Sequence, residues 1–232
     1  MIRYSKIKKA KFICRPNRFI AKVLIDGKEE NVHVKNTGRC RELLTEGSDV
    51  ILYESDNVSR KTKYDLVAVY KQRNGKAPIL INMDSQIPND VVEEWLKKSK
   101  LFSENANIRR EVTFGDSRFD FYIEDGENKA FLEVKGVTLE ENGIAMFPDA
   151  PTERGIKHIN ELALAISHGY GAYILFVVQM KEISEMRPND ITHKAFGDAL
   201  RIAAEKGVRI LALDCNVTEN SIEAEDYINV VI

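Results

Sequence analysis

Over its first third the chain alternates apolar and polar positions in short runs, the period of half-buried strands. The alternation predicts strands near Lys11–Arg15, Arg18–Ile25, Glu30–Lys35, Asp49–Glu54 and Tyr64–Tyr70. Asp26-Gly27, straight after Val23-Leu24-Ile25, is a strong hairpin turn. A short helix is expected over Arg39–Leu44, closed near Gly47, and Phe19 reads as a core residue. Five strands with a small helix between the third and fourth fit an OB-like β-barrel, a fold often used for nucleic acids.

The period changes after Asn74-Gly75-Lys76-Ala77-Pro78, which reads as a turn or linker. A helix is expected from Val91 to about Lys100, capped by Asn89 or Asp90, with Val92, Trp95 and Leu96 as its buried stripe. Strands follow at Arg110–Phe114, Arg118–Glu124 and Lys129–Val137, the last two joined by a polar turn containing Gly126. Next come a helix over Glu153–His168 capped by Thr152 and a continuously apolar strand, Ala172–Gln179, suited to burial between layers. A helix over Asn189–Lys206 and strands at Val208–Asp214 and Tyr227–Ile232 complete the chain. The expected class is mixed α/β, with an OB-like domain over residues 1–80 and an αβββαβ domain over 81–232.

Composition adds limits. A chain of 232 residues, 44% hydrophobic and 30% charged, is an ordinary globular protein with room for one large or two small domains. No apolar run approaches the ~20 residues of a membrane helix, and lysines interrupt any signal-like segment near the start. Cys14, Cys40 and Cys215 are scattered without CxxC spacing, which argues for a reducing cytoplasm and against a zinc site or disulfide framework. The net charge of -2 conceals an asymmetry: Met1–Arg41 holds twelve Lys or Arg and three acids, so it is +9 and the remainder -11. Such a basic block points to a local polyanion-binding surface, and no membrane partner is expected.

Candidate chemistry lies in the hairpin. Glu133 and Lys135 alternate on one strand and so share a face, and Asp120 comes from the neighbouring strand. Two carboxylates and a lysine suit Mg²⁺ or Mn²⁺ acting on a phosphate, with Asp120 and Glu133 as ligands and Lys135 orienting water or stabilising charge. Glu111 could supply a third carboxylate, with Glu104 a weaker alternative. The pattern D-x(12)-E-x-K in an αβββαβ order resembles the PD-(D/E)xK nuclease superfamily. On spacing alone, a solvated cross-strand pair carries the same residues.

Three further stretches carry a more specific resemblance. They are Arg15-Pro16-Asn17-Arg18-Phe19, then Val34 to Leu44 (VKNTGRCRELL), then Glu133-Val134-Lys135-Gly136-Val137-Thr138-Leu139 running on to Phe147–His158 (FPDAPTERGIKH). Together they closely resemble the sugar fermentation stimulation protein A (SfsA) family over essentially the whole chain. The resemblance implies an N-terminal OB-like domain, a nuclease-like C-terminal domain, DNA binding and a regulatory role in sugar (maltose) metabolism. Gly136 stands where many relatives carry Ser.

In the basic block, Arg15, Asn17, Arg18, Lys35, Arg39 and Arg41 are DNA-contact candidates, expected to touch backbone rather than bases. Arg154, Lys157 and His158 fall within about a turn of one another at the start of a helix, where a phosphate would relieve their repulsion. Asp149 is a fourth acid for the site or a turn residue. Three readings follow: a Mg²⁺-dependent deoxyribonuclease, a non-enzymatic DNA-binding regulator on a nuclease-like scaffold, and an enzyme acting on another phosphate ester.

Overall fold

In this computed structural model, which describes residues 1–36, 38–57 and 59–232, the N-terminal alternation becomes a barrel. Thr37, within the VKNTGRC stretch, lies outside the described residues. After β1 (Ile2–Arg3) come six strands: β2 (Ile7–Asn17), β3 (Ile20–Ile25), β4 (Lys28–Val34), β5 (Asp49–Glu54), β6 (Tyr64–Arg73) and β7 (Lys76–Asn82). Their order is β4-β3-β2-β5-β6-β7, and parallel pairing of β4 with β6 (His33 opposite Asp65, Val34 opposite Leu66) closes the sheet. Phe12, Val23, Val32, Val50, Leu52 and Leu66 fill the interior.

Two local expectations change. The stretch 74–78 is no linker: Gly75, at φ +69°, turns the chain into β7, and Ile79 and Ile81 are buried. Pro78 is tolerated because β7 edges the sheet, where a missing N–H costs no ladder bond. The helix expected over 39–44 shrinks to one turn, in which Leu43 and Leu44 donate to the Cys40 carbonyl. Cys40 itself sits at φ +45°, outside helical geometry.

The rest of the chain runs α1 (Ile87–Leu96), β8 (Asn107–Phe114), β9 (Ser117–Asp125), β10 (Asn128–Val137), β11 (Leu139–Glu141), β12 (Ile144–Phe147), α2 (Glu153–Ser167), β13 (Gly171–Val178), β14 (Glu185–Pro188), α3 (Asp190–Glu205), β15 (Arg209–Thr218), β16 (Ser221–Tyr227) and β17 (Asn229–Val230). A seven-stranded sheet has the order β1-β16-β15-β13-β10-β9-β8, with β10, β13 and β15 parallel. The αβββαβ order is present, with the β11–β12 hairpin inserted before α2. That hairpin begins a small sheet, β11-β12-β14-β17. The C-terminal strand expected over 227–232 is divided, with β16 ending at Tyr227 and only Asn229–Val230 pairing beyond it.

The alternation along β10 and β13 divides the core. Leu132, Val134 and Leu175 pack with Val91 and Val92 of α1, while Phe131 and Phe176 pack with Ile159 of α2 and Phe196 of α3. Thr152 caps α2 as expected, its hydroxyl accepting from the Gly155 N–H at 3.0 Å. α1 starts earlier than its sequence suggests, because Pro88 fits the first turn. Asn89 and Asp90 therefore lie inside the helix and are free to bond elsewhere.

Barrel and sheet are stitched at one junction. The Asn82 N–H donates to the Gln179 carbonyl at 3.0 Å, and the Gln179 amide donates to Asn82 Oδ1 at 3.0 Å and to the Asp84 carbonyl at 3.2 Å. Lys71 of the barrel reaches the buried Glu140 carboxylate at 2.6 Å. Among the described residues no helix is long and apolar enough to cross a membrane.

Candidate functional site

The β9–β10 hairpin forms as its sequence suggests, but its pairing stops at Phe121 opposite Leu132. Phe119 and Tyr122 both pack on the α2 side, while Phe121 and Ile123 pack on the α1 side. Residues three apart cannot share a face of a regular strand, so β9 turns over at Asp120. The Asp120 carboxylate takes the place of a ladder partner: Oδ2 accepts from the Val134 N–H at 2.7 Å. Its Oδ1 accepts from the Asn89 amide of α1, also at 2.7 Å.

Glu133 faces α2 and is 3% exposed. Its Oε1 accepts from Lys135 Nζ at 2.6 Å and from His158 Nδ1. Its Oε2 is buried with no hydrogen-bond partner among the described residues. His158 is also buried, and its Nε2 accepts from Arg154 Nε at 3.4 Å. The two contacts fit a neutral ring with its proton on Nδ1.

The two carboxylates are driven apart. Burial, then the charge of Glu133, push Asp120 up to about 6, against the Val134 N–H and Asn89. Burial would raise Glu133 as well, but His158 and Lys135 outweigh it and hold that carboxyl below the usual range. Adjacent carboxyls separated in this way are the pattern of sites that divide acid and base roles.

Asp120, Glu133, Lys135 and His158 are thus brought together. Glu111 is not: exposed at φ +58°, it pairs with Arg118 at 2.8 Å. Glu104 is likewise on the surface. Lys157 turns away from His158 and donates to the Asp116 carbonyl at 2.8 Å, while Arg154 is exposed above the buried pair. Asp149 lies in the β12–α2 loop with its carboxylate against Gly38, so it belongs to the junction with the barrel. Among the described residues no three His, Cys, Asp or Glu side chains are grouped to hold a metal.

Do two carboxylates suffice? Mg²⁺ keeps several waters and is commonly held by one or two carboxylates plus substrate phosphate. The orphaned Oε2 of Glu133 and the disfavoured ionised form of Asp120 are both conditions that a hard divalent cation would relieve. The residues therefore fit such an ion.

Of the barrel candidates, Arg15 is committed to the fold. Its guanidinium donates to four carbonyls, those of Gly38 and Arg39 at 2.9 Å, Arg18 at 2.7 Å and Asn36 at 2.5 Å. Asn17 is a turn former, its Oδ1 accepting from the Phe19 N–H at 2.9 Å and the Ile20 N–H at 3.0 Å. Lys35 lies between buried Asp84 at 3.3 Å and buried Asp65 at 3.6 Å. Arg18, Arg39 and Arg41 are exposed. Phe19, read as core, is 49% exposed instead.

Asn89 and Gln179 went unread. Asn89 looked like a helix cap, and only the early start of α1 frees it for Asp120. Gln179 helps line a cavity of about 170 Å³ at the junction, with Asn36, Gly38, Ser85, Gly136 and Asp149. A Cβ on Gly136 would meet Gln179 Oε1 at 2.7 Å and Pro88 Cγ at 2.8 Å. A Ser at this position would need Gln179 and α1 to stand further off.

Comparison with known proteins accords with this layout. Residues 13–81 match the SfsA N-terminal OB domain, and residues 86–221 match the sugar fermentation stimulation protein RE domain. The sugar fermentation stimulation protein homolog of Desulfitobacterium hafniense is 59% identical over 229 residues, covering 99% of this chain and 98% of the relative. The Clostridium beijerinckii homolog is 53% identical over 231 residues, covering 100% of both. The solved structure of Pyrococcus furiosus SfsA, in complex with Ca²⁺, superposes with a TM-score of 0.86 at 29% identity, covering 100% of this chain and 98% of that one.

Proposed function

The chain belongs to the sugar fermentation stimulation protein family, and from that membership and the site's chemistry we propose a DNA-binding protein with a divalent-cation site of the PD-(D/E)xK nuclease kind. The observation that carries the metal reading is the buried Glu133 Oε2, which has no partner beside a second, reluctantly ionised carboxylate. The Ca²⁺ complex of the Pyrococcus furiosus relative supports the same reading. Exposed Arg18, Arg39 and Arg41 on a barrel with no acid before Asp26 support DNA as partner.

Asp120 and Glu133 would hold Mg²⁺ or Mn²⁺. The ion, when bound, supplies Lewis acidity toward a phosphodiester and lowers the pKa of water. Asn89 and the Val134 N–H orient Asp120, and His158 fixes which oxygen of Glu133 is presented. Lys135 places a positive charge beside the carboxylate pair, where charge on a reacting phosphate would be stabilised. Arg154, exposed at the start of α2, is placed to meet a neighbouring phosphate.

A second reading, a non-enzymatic DNA-binding regulator of sugar (maltose) metabolism, draws on one specific observation. Among the described residues only two carboxylates converge, Glu111 is paired elsewhere, and Lys135 is already bound to Glu133. The deciding experiment is titration of Mn²⁺ and Mg²⁺ into wild type and Asp120→Ala, followed by incubation of labelled duplex, branched and single-stranded DNA with the bound metal. Metal-dependent cleavage lost in Asp120→Ala and Lys135→Ala, with DNA binding kept, is the expected result. DNA binding with a defined footprint and no turnover on any substrate would leave the regulator.

A further inference from the structure

We propose that Phe19, displayed beside Arg18 at the β2–β3 turn, is a stacking platform for an unpaired nucleobase, so that the barrel takes single-stranded DNA in preference to duplex. This rests on the DNA-binding reading of the barrel and not on the metal site.

The ring is 49% exposed and joins none of the hydrophobic clusters. An apolar side chain in water is ordinary on a loose loop, but this turn is built to hold it still. Asn17 Oδ1 binds the N–H groups of Phe19 and Ile20, the Phe19 carbonyl accepts from the Val34 N–H at 2.8 Å, and Arg15 holds the Arg18 carbonyl at 2.7 Å. The same Arg15 guanidinium pins Asn36, Gly38 and Arg39. One half-buried arginine thus ties two loops into a single platform.

The chemistry of that platform selects the occupant. The Arg18 guanidinium carbon lies 5.3 Å from the centre of the Phe19 ring. Arg18, Arg39 and Arg41 are exposed, and none forms an ion pair among the described residues. An aromatic ring with one cation over it, on a turn that Arg15 ties to the loop carrying Arg39, suits a base with a phosphate beside it. Base faces are open to a protein side chain only where the strand is unpaired, because a duplex stacks them inward. An apolar protein partner would not call for the arginines, and a two-fold contact through this same face of a second copy would bring like charge to like.

The test uses the full chain in EDTA, so that hydrolysis cannot enter. Anisotropy is read on labelled oligothymidylate of about 12 nucleotides, an abasic oligomer of the same length, and a duplex. Phe19→Ala should weaken oligothymidylate binding about ten-fold, leave the abasic oligomer unchanged, and be rescued by Phe19→Trp. Equal loss on the abasic oligomer, no loss on oligothymidylate, or tighter binding of duplex than of single strand by wild type would overturn the platform. Arg18→Ala/Arg39→Ala/Arg41→Ala should weaken all three ligands. If it weakens none, the DNA-binding reading of the barrel fails, a result distinct from loss of the stacking term alone.

Discussion

His158 and Glu133 meet between α2 and β10: the ring Nδ1 donates to Oε1, and the other carboxylate oxygen is left buried without a partner. The histidine therefore does more than give the acid a hydrogen bond. It sets the rotation of the carboxylate and so determines which oxygen stays open to a cation. Partners of this kind commonly change metal affinity by ten- to a hundred-fold.

His158→Ala should weaken Mn²⁺ binding about ten-fold in calorimetric titration while circular dichroism stays that of the wild type. His158→Asn, which keeps a donor at the Nδ1 position, should recover most of the loss. Unchanged affinity in the alanine variant would show that Lys135 alone orients the carboxylate.

Asp120 gives a pH dependence opposite to that of most carboxylates. Its pKa is pushed up to about 6 from an ordinary 3.8, so the folded chain holds this proton more tightly than the unfolded chain does. Its contribution to stability is full below the unfolded value and is lost as pH rises through the folded one. In EDTA, urea midpoints should fall between about pH 4 and 6 on this account, and Asp120→Asn should flatten the fall. The variant should gain about 1–3 kcal/mol at pH 7. Saturating Mn²⁺ should restore the wild type, because metal binding favours the ionised carboxylate. An Asn variant less stable than wild type at pH 7 would contradict the burial argument.

Arg15 organises four carbonyls from two loops. A lysine keeps the charge but offers three donors without the planar fork. Arg15→Lys should lower stability by about 1–3 kcal/mol by leaving carbonyls unmet. It should also weaken single-stranded DNA binding, because Arg18 and Arg39 lose their fixed positions. Wild-type denaturation and binding curves would mean that the loops hold themselves.

Lys71 and Glu140 tie the barrel to the β11–β12 hairpin at 2.6 Å, with the Glu140 carboxylate buried. Burial favours its neutral form, but Lys71 and the Gly143 N–H overcome this and keep the carboxyl below its usual range. Lys71→Met should cost about 3–5 kcal/mol, since an uncompensated charge remains. Adding Glu140→Gln should return much of that. Losses that simply add in the double variant would mean that the two residues do not act as a pair.

Much of this molecule is visible in local pattern. The period-two run of β3, the apolar, β-prone segments of β9 and β10, the turns at Gly27 and Gly126, and the Thr152 cap each depend on residues a few positions apart, which is the range that propensity and alternation describe. The shared face of Glu133 and Lys135 is legible for the same reason. The strand β7 was hidden by Pro78, which is harmless only at an edge, and a chain cannot be seen to be an edge from its own residues.

Partner choice was decided by the tertiary structure. Glu133 and His158 are 25 residues apart, Asn89 and Asp120 are 31 apart, and Lys71 and Glu140 are 69 apart. Arg15 looks like a DNA contact in a basic run and Phe19 looks like core, yet the packed chain spends the cation on carbonyls and leaves the ring in water. Periodicity assigns each residue to a face through its neighbours in sequence. Which polar atoms meet there, and which one is left unmet, depends on where distant elements come to rest.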